Sequence, residues 1–331
     1  MSKISAILIS SALAISLTGC MSNATPEVRA FEGLTQACES LKGGSEIDAV
    51  KVTAEKGKVP TVEFATSEPG ASVKAPLAGI KSTQSKIVRE GEGPKFTGNQ
   101  LLTIDYAVFS STTGKQLAAN TWNGTDSASQ VFDNQEGTKL YCEALSGAKQ
   151  GSVVAFALPA TENDPEGSLF VIELKKVYLP HANGAAKSPE AGFPAVVLAP
   201  TTRQPGLVQP NFLAPAEFKR STLIEGKGEL VKNGDSITVH YTGWVWSDTI
   251  GDPFDSSWIQ RDAQTPMSPA TFTLNTENLI PGFVKALEGI AVGSQVIAVM
   301  PPSDAYGENA QGAIPANSTL IFVIDVLGIN K

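Results

Sequence analysis

Residues 237–243, ITVHYTG, place Ile237, Val239 and Tyr241 on one side of an extended chain and Thr238, His240 and Thr242 on the other. That period of two marks a half-buried strand, and its apolar face ends in a phenol. A hydroxyl taken out of water without a partner costs roughly 1–3 kcal/mol, so Tyr241 calls for a hydrogen-bonding companion elsewhere in the chain. A near copy, LTIDY at 102–106, repeats the pattern with Tyr106. Other reactive groups are sparse: two histidines, His181 and His240, and three cysteines, Cys20, Cys38 and Cys142. No Cys/His cluster is visible, so no metal site and no cofactor are expected. His240 lies on the outward phase of its strand and is expected to be solvated.

The chain has 331 residues, enough for about two domains, and 42% of them are apolar, which excludes wholesale disorder. A net charge of −8 without basic runs argues against a nucleic-acid partner. At the N-terminus, MSKISAILISSALAISLTGC carries one lysine, a short apolar run and then LTGC. Ile4 to Leu17 would span roughly 21 Å as a helix, short of a hydrocarbon core of about 30 Å. Residues 1–19 therefore read as a secretory signal peptide. LTGC resembles the bacterial lipobox, in which peptidase cuts before the cysteine and the thiol is lipidated. Cys20 is the expected anchor to the membrane, since stable anchoring takes two acyl chains; ordinary signal cleavage nearby is the alternative. An extracytoplasmic, membrane-anchored lipoprotein is the resulting expectation. In an exported chain the remaining cysteines, Cys38 and Cys142, suggest a disulfide, with two buried free thiols as the alternative.

An internal repeat organises the rest. KVPTVEFATSEPG at 58–70 resembles GFPAVVLAPTTRQPG at 192–206, and KIVREGEGPKFTGNQLLTIDYAVF at 86–109 matches STLIEGKGELVKNGDSITVHYTGW at 221–244. ALSGAKQGSVVAFALP at 144–159 pairs with ALEGIAVGSQVIAVMP at 286–301, and GSLFVIELKKVYL at 167–179 with STLIFVIDVLGI at 318–329. With a period this long, the repeat is a duplicated domain rather than a solenoid. PHANGAAKSPEAG at 180–192 is rich in small residues, Pro and Gly and reads as a linker. The expected organisation is a tether at 20–30, a first copy at 31–180, a linker at 181–189 and a second copy at 190–331. Runs such as SQVIAVMP and TLIFVIDVLGI predict strands. FVKALEGI at 283–290 departs from them: Phe283, Leu287 and Ile290 share one helical face, and Gly289 and Gly293 favour its end. One short helix among antiparallel strands is an α+β arrangement.

In the second copy VHYTG (239–243), FDSSW (254–258), LIPGF (279–283), VGSQV (292–296), PPSDAYG (301–307) and IPANSTLIF (314–322) follow in that order. Together, over roughly 220–330, they resemble the FKBP-type peptidyl-prolyl cis–trans isomerases. The resemblance implies two tandem FKBP-like domains, each an antiparallel β-sheet wrapped around a short α-helix with an apolar pocket between them. Carried across by motif, it implies a catalytic set of Tyr241, Asp255, Ile280 and Tyr306. The Tyr241 hydroxyl would pair with the Asp255 carboxylate at the pocket edge, and Asp255 would act electrostatically near the rotating carbonyl. The Ile280 N–H would hold the carbonyl after proline, while Tyr306 would donate to a neighbouring one. Phe254, Phe272, Leu279, Phe283, Ile314 and Phe322 are the implied substrate-binding residues. Taken singly, Phe272, Ile314 and Phe322 would pass for core and Tyr306 for turn chemistry; their joint spacing sets them apart.

The implied function is cofactor-free isomerisation of X–Pro bonds in exported polypeptides by a lipid-anchored foldase. A non-catalytic module that binds prolyl peptides or unfolded chains, and a plain spacer, are the alternatives. There are departures from the family. Phe283 stands where Trp is usual, and Ala270 occupies another position that is often aromatic, implying an altered pocket with weaker binding of FK506- or rapamycin-type macrolides. The segment GWVWSDTIGDP at 243–253 is longer than usual, and Trp244 and Trp246 either extend substrate contact or pack the insertion. In the first copy Tyr106 matches Tyr241, but Leu117 and Ala118 replace the aromatic and the acid, Tyr141 takes the pocket floor, and the AYG loop is missing. That copy is expected to be degenerate and catalytically silent.

Overall fold

A computed structural model describes residues 37–330 except 42, 65–76, 136, 189, 201, 248–249 and 260–266. The signal peptide at 1–19, the tether at 20–30 and Cys20 lie outside the described residues. Among the described residues, no helix is long and apolar enough to cross a membrane.

Helix α1 (Ser45–Asp48) and the hairpin of β1 (Val50–Thr53) and β2 (Thr61–Phe64) come first. The first sheet is then built from β3 (Gln84–Arg89), β4 (Gln100–Ser110), β5 (Gln116–Ala119), β6 (Ala128–Phe132), helix α2 (Lys139–Leu145), β7 (Val153–Leu158) and β8 (Ser168–Val177). After β9 (Ala185–Ala186) and the hairpin of β10 (Val196–Leu198) and β11 (Pro205–Leu207), the plan is repeated. It consists of β12 (Lys219–Glu225), β13 (Ser236–Val245), β14 (Asp255–Ser256), β15 (Ala270–Thr273), helix α3 (Pro281–Leu287), β16 (Gln295–Met300) and β17 (Leu320–Asn330).

Both sheets are antiparallel and follow one path. In the first, β3-β7-β8-β4 continue into β5, with β6 also on β4; in the second, β12-β16-β17-β13 continue into β14, with β15 also on β13. Even the irregularities coincide. Register shifts at Ile87/Arg89 and Thr103/Ile104 in the first copy fall at Thr222/Ile224 and Thr238/Val239 in the second. Bulges are designed features of a fold, so matching ones extend the internal repeat from residues to backbone.

The inner face of the second sheet packs Ile237, Val239, Leu320, Ile324 and Val326 against Phe283, Ala286 and Leu287 of α3. This helix starts earlier than the FVKALEGI run because Pro281, lacking an N–H, suits the first helical position. It stops at Leu287, with Gly289 at φ +79° beyond it, and Ile290 packs into the same core from the following turn. The outer face is covered too. Phe193, Val196 and Leu207 pack on Trp244, Ile297, Ile321 and Val323, while Ile47, Val50, Leu77 and Ile80 do the same for the first sheet. Burial on both faces explains why β16 and β17 read as nearly continuous apolar runs.

The outward phase of β13 is therefore not solvent, and one expectation fails. His240 is 5% exposed, not solvated. Trp258 stacks on its ring, and the segment between the copies runs close by: the Ala182 N–H donates at 2.8 Å to Oδ2 of Asp325, the residue paired opposite His240, and farther on β9 pairs with Ile224 and Glu225 as an edge strand of the second sheet. Asn183 and Gly184 donate to the Gly293 carbonyl. At the junction the Tyr178 hydroxyl donates to Asn330 Oδ1 at 2.5 Å, and Tyr178 packs with Leu101 and Leu327. In the first copy Cys38 and Cys142 form a disulfide, Cα atoms 5.7 Å apart, tying the N-terminal segment to α2.

Candidate active site

Alternation along β13 aims Tyr241 inward, and β14, paired at Thr242–Ser256 and Gly243–Asp255, sets Asp255 beside it. The Tyr241 hydroxyl donates to Asp255 Oδ2 at 2.5 Å. A charge-assisted bond of this kind compensates a phenol withdrawn from water. Around the pair stands a cage of rings in edge-to-face contact. Phe283 at the N-terminal turn of α3 meets Tyr241, Phe272 and Phe322 at centroid distances of 6.2, 5.3 and 5.3 Å, and Phe254 meets Phe322 at 5.6 Å. Leu279, Ile280 and Tyr306 pack partly buried against the same cluster, and Ile314 is buried in it. Nine of the ten residues named from the motifs thus pack in one cluster, and the tenth, Asp255, is bonded to it through Tyr241.

Two polar groups at the rim keep donor capacity. No hydrogen bond among the described residues consumes the Ile280 N–H or the Tyr306 hydroxyl. A cavity of about 530 Å³ opens beside the pair, lined by Phe254, Asp255, Tyr306 and Ile314 together with Ser256 and Gln311. Of the two tryptophans in the insertion, Trp244 is buried against Ile297 and Ile321, and Trp246 lies edge-on to Phe212 at 5.6 Å. Both pack.

Gly243 belongs to this site although no motif argument singled it out. A Cβ there would stand 2.6 Å from Phe254 Cζ and 2.7 Å from Phe322 Cε1, so only glycine lets the two rings close over the strand. The signal was present, since a glycine inside a strand often marks such close approach. Ala298, paired with Phe322 across β16 and β17, sets a second small side chain next to that residue.

The first copy shows what happens without them. Register places Val108 where Gly243 stands, Phe156 where Ala298 stands, and Ala118 where Asp255 stands. Phe156 stacks on Phe170 at 5.0 Å, and Tyr141 lies edge-on to both at 5.5 and 5.4 Å. Burial pushes the Tyr141 phenol pKa up. The Tyr106 hydroxyl has no partner among the described residues and stays half-exposed. Between Leu158 and Ser168 there is only a short loop, where the second copy runs from Met300 to Leu320 and carries Tyr306 and Ile314.

A family described as FKBP-type peptidyl-prolyl cis-trans isomerase matches residues 227–327. FK506-binding protein 1 of Aspergillus oryzae is 31% identical over 113 residues, which make up 34% of this chain and 97% of that protein. The chain belongs to the FKBP-type peptidyl-prolyl cis-trans isomerase family. Its FKBP region contains every site residue from Tyr241 to Phe322. The FKBP-type isomerase FkpA of Aeromonas hydrophila is 41% identical over 106 residues, 32% of this chain and 35% of the relative. FkpA of Escherichia coli is 35% identical over 104 residues, 34% of its length. This FKBP chain thus spans about a third of the length of these bacterial relatives. The crystal structure of FkpA from Escherichia coli aligns with 43% of this chain and 53% of its own at 29% identity and a TM-score of 0.30.

Proposed function

We propose that the second copy is a peptidyl-prolyl cis–trans isomerase acting on X–Pro bonds of exported polypeptides, held at the membrane outside the cytoplasm by a lipidated Cys20. One observation carries the reading: a phenol–carboxylate pair, 2.5 Å apart, whose carboxylate lines an open cavity of about 530 Å³ together with Phe254, Tyr306 and Ile314 at the edge of the ring cluster. The first copy is a degenerate FKBP-like domain, catalytically silent because its hollow is filled by its own rings and its acid is an alanine.

The chemistry needs no nucleophile and no metal. Rotation about a peptide bond faces about 18–20 kcal/mol from amide resonance, and uncatalysed X–Pro exchange takes tens of seconds or more. Resonance puts negative charge on the carbonyl oxygen, whereas the twisted state has less charge separation. An aromatic, water-poor pocket therefore favours the twisted state relative to the planar one. Phe254, Phe283 and Phe322 surround the pyrrolidine ring. The Ile280 N–H holds the carbonyl that follows proline, and Tyr306 donates to a neighbouring carbonyl. Asp255, fixed by Tyr241, acts on the rotating carbonyl through its field and moves no proton. Phe283 leaves more room than an indole, which weakens the grip on proline and on macrolides of the FK506 type.

The deciding assay is protease-coupled isomerisation of an X–Pro tetrapeptide by the chain from residue 21 onward. Tyr241→Phe and Asp255→Ala should each lower kcat/KM by about 10- to 100-fold, the worth of one hydrogen bond to a charged group. Affinity for prolyl peptides without acceleration would make the domain a binding module instead. Neither acceleration nor affinity in a folded chain would overturn the proposal.

A further inference from the structure

Behind the sheet, on the face opposite the hollow, lies a polar set that the pocket residues do not include. Ser257 grips the peptide of Tyr241 from both sides: its Oγ accepts from the Tyr241 N–H at 2.9 Å, and its own N–H donates to the Tyr241 carbonyl at 3.0 Å. His240 Nδ1 lies 2.8 Å from the same Oγ, and the imidazole stacks on Trp258 with centroids 3.9 Å apart. Ser257 is two residues from Asp255. We infer that Ser257, held by His240, is a positioning residue that sets the Asp255 carboxylate against the Tyr241 hydroxyl, acting through the backbone of β13 and β14.

The donor count supports this arrangement. One of the two lone pairs on Ser257 Oγ takes the Tyr241 N–H, and its proton has two acceptors in reach, His240 Nδ1 at 2.8 Å and the Tyr241 carbonyl at 3.3 Å, of which the imidazole is nearer. The ring can accept it only when neutral, and burial keeps it so, pushing its pKa down to about 3. The first copy builds the same clamp from other residues. Asn120, at the position of Ser257, accepts from the Tyr106 N–H at 2.9 Å and donates its side-chain amide to Asp105 Oδ1 at 2.8 Å. Its N–H donates to the Tyr106 carbonyl at 3.2 Å. Two solutions to one geometric demand indicate that the demand is real, and in the second copy the segment that supplies the clamp also carries the acid, Asp255.

The inference rests on the isomerase reading, and asparagine supplies the test. Ser257→Ala should lower kcat/KM on an X–Pro tetrapeptide about tenfold while the chain stays folded by circular dichroism. It should also move the Cζ resonance of ¹³C-labelled Tyr241, which reports the bond to Asp255. Ser257→Asn, which can accept from Tyr241 and donate to His240, should restore both. Should Ser257→Ala fail to fold, His240→Phe, which keeps the stack on Trp258 and removes only the acceptor nitrogen, carries the comparison. A folded Ser257→Ala or His240→Phe chain with unchanged kcat/KM and an unmoved Tyr241 resonance overturns the inference. If the unaltered chain shows no acceleration, the isomerase reading falls while the resonance still judges the clamp.

Discussion

Lowering the pH from 7 to 5 should destabilise this protein through His240. Its imidazole is buried, and that burial, aided by the neighbouring His181, takes the pKa from an ordinary 6.5 to about 3. The unfolded chain then binds a proton that the folded chain refuses throughout this window. The stabilising contribution is complete above pH 6.5 and is lost as pH falls towards 3, at about 1.4 kcal/mol per unit. Between pH 7 and 5 the loss is about 2 kcal/mol. Asp325, paired opposite His240 on β17, works in the other direction: burial raises its pKa against the pull of the Ala182 N–H and Gln295, so it takes up its proton earlier when folded and gains stability on acidification. His181 and, more remotely, Arg203 are the other charged or titratable groups acting on the cluster. His240→Phe removes the titration together with the bond to Ser257, but the loss of that bond is the same at every pH in this window and drops out of the comparison of pH dependences. Urea unfolding at pH 7, 6 and 5 should show the unaltered chain losing about 2 kcal/mol more than the variant. Parallel pH dependences in the two proteins would refute the argument, since the imidazole would then titrate alike folded and unfolded.

Gly243→Val installs the residue that the first copy carries at this position. With Cβ placed 2.6 Å from Phe254 and 2.7 Å from Phe322, the rings must move, at a stability cost of about 1–3 kcal/mol. Prolyl-peptide affinity and kcat/KM should fall together in a chain that still folds, and unchanged kinetics would show that the hollow does not depend on that glycine. Reducing the Cys38–Cys142 bridge, which spans 104 positions, should destabilise the first copy by about 4–5 kcal/mol in the chain-entropy account. Isomerase activity of the second copy should persist; an unfolding midpoint indifferent to reductant would mean that the bridge contributes nothing.

That the ten residues named from the motifs come together was legible without coordinates, because six motifs preserve local spacing and period-two alternation fixes which side of a strand each strand residue faces. The duplication was legible for the same reason: four blocks keep their order, and a backbone plan with matching bulges follows from them. Burial of His240 was not. Alternation says only that it faces away from Tyr241; its cover comes from Ser257 and Trp258, which the fold returns onto the ring, with His181 of the connecting segment near it. The same holds for the connecting segment, whose small residues read as a linker but whose backbone N–H groups satisfy Asp325 and Gly293. A glycine inside a strand hinted at close approach at Gly243, but what approaches it was not legible, because the importance of Gly243 and Ala298 lies in what is absent, the volume that Val108 and Phe156 occupy in the other copy. Local pattern thus determined which side chains point to a common face. Only the folded chain, by bringing distant segments into contact and leaving particular volumes unfilled, decided that the outward face of β13 is covered and that a cavity stays open beside Asp255.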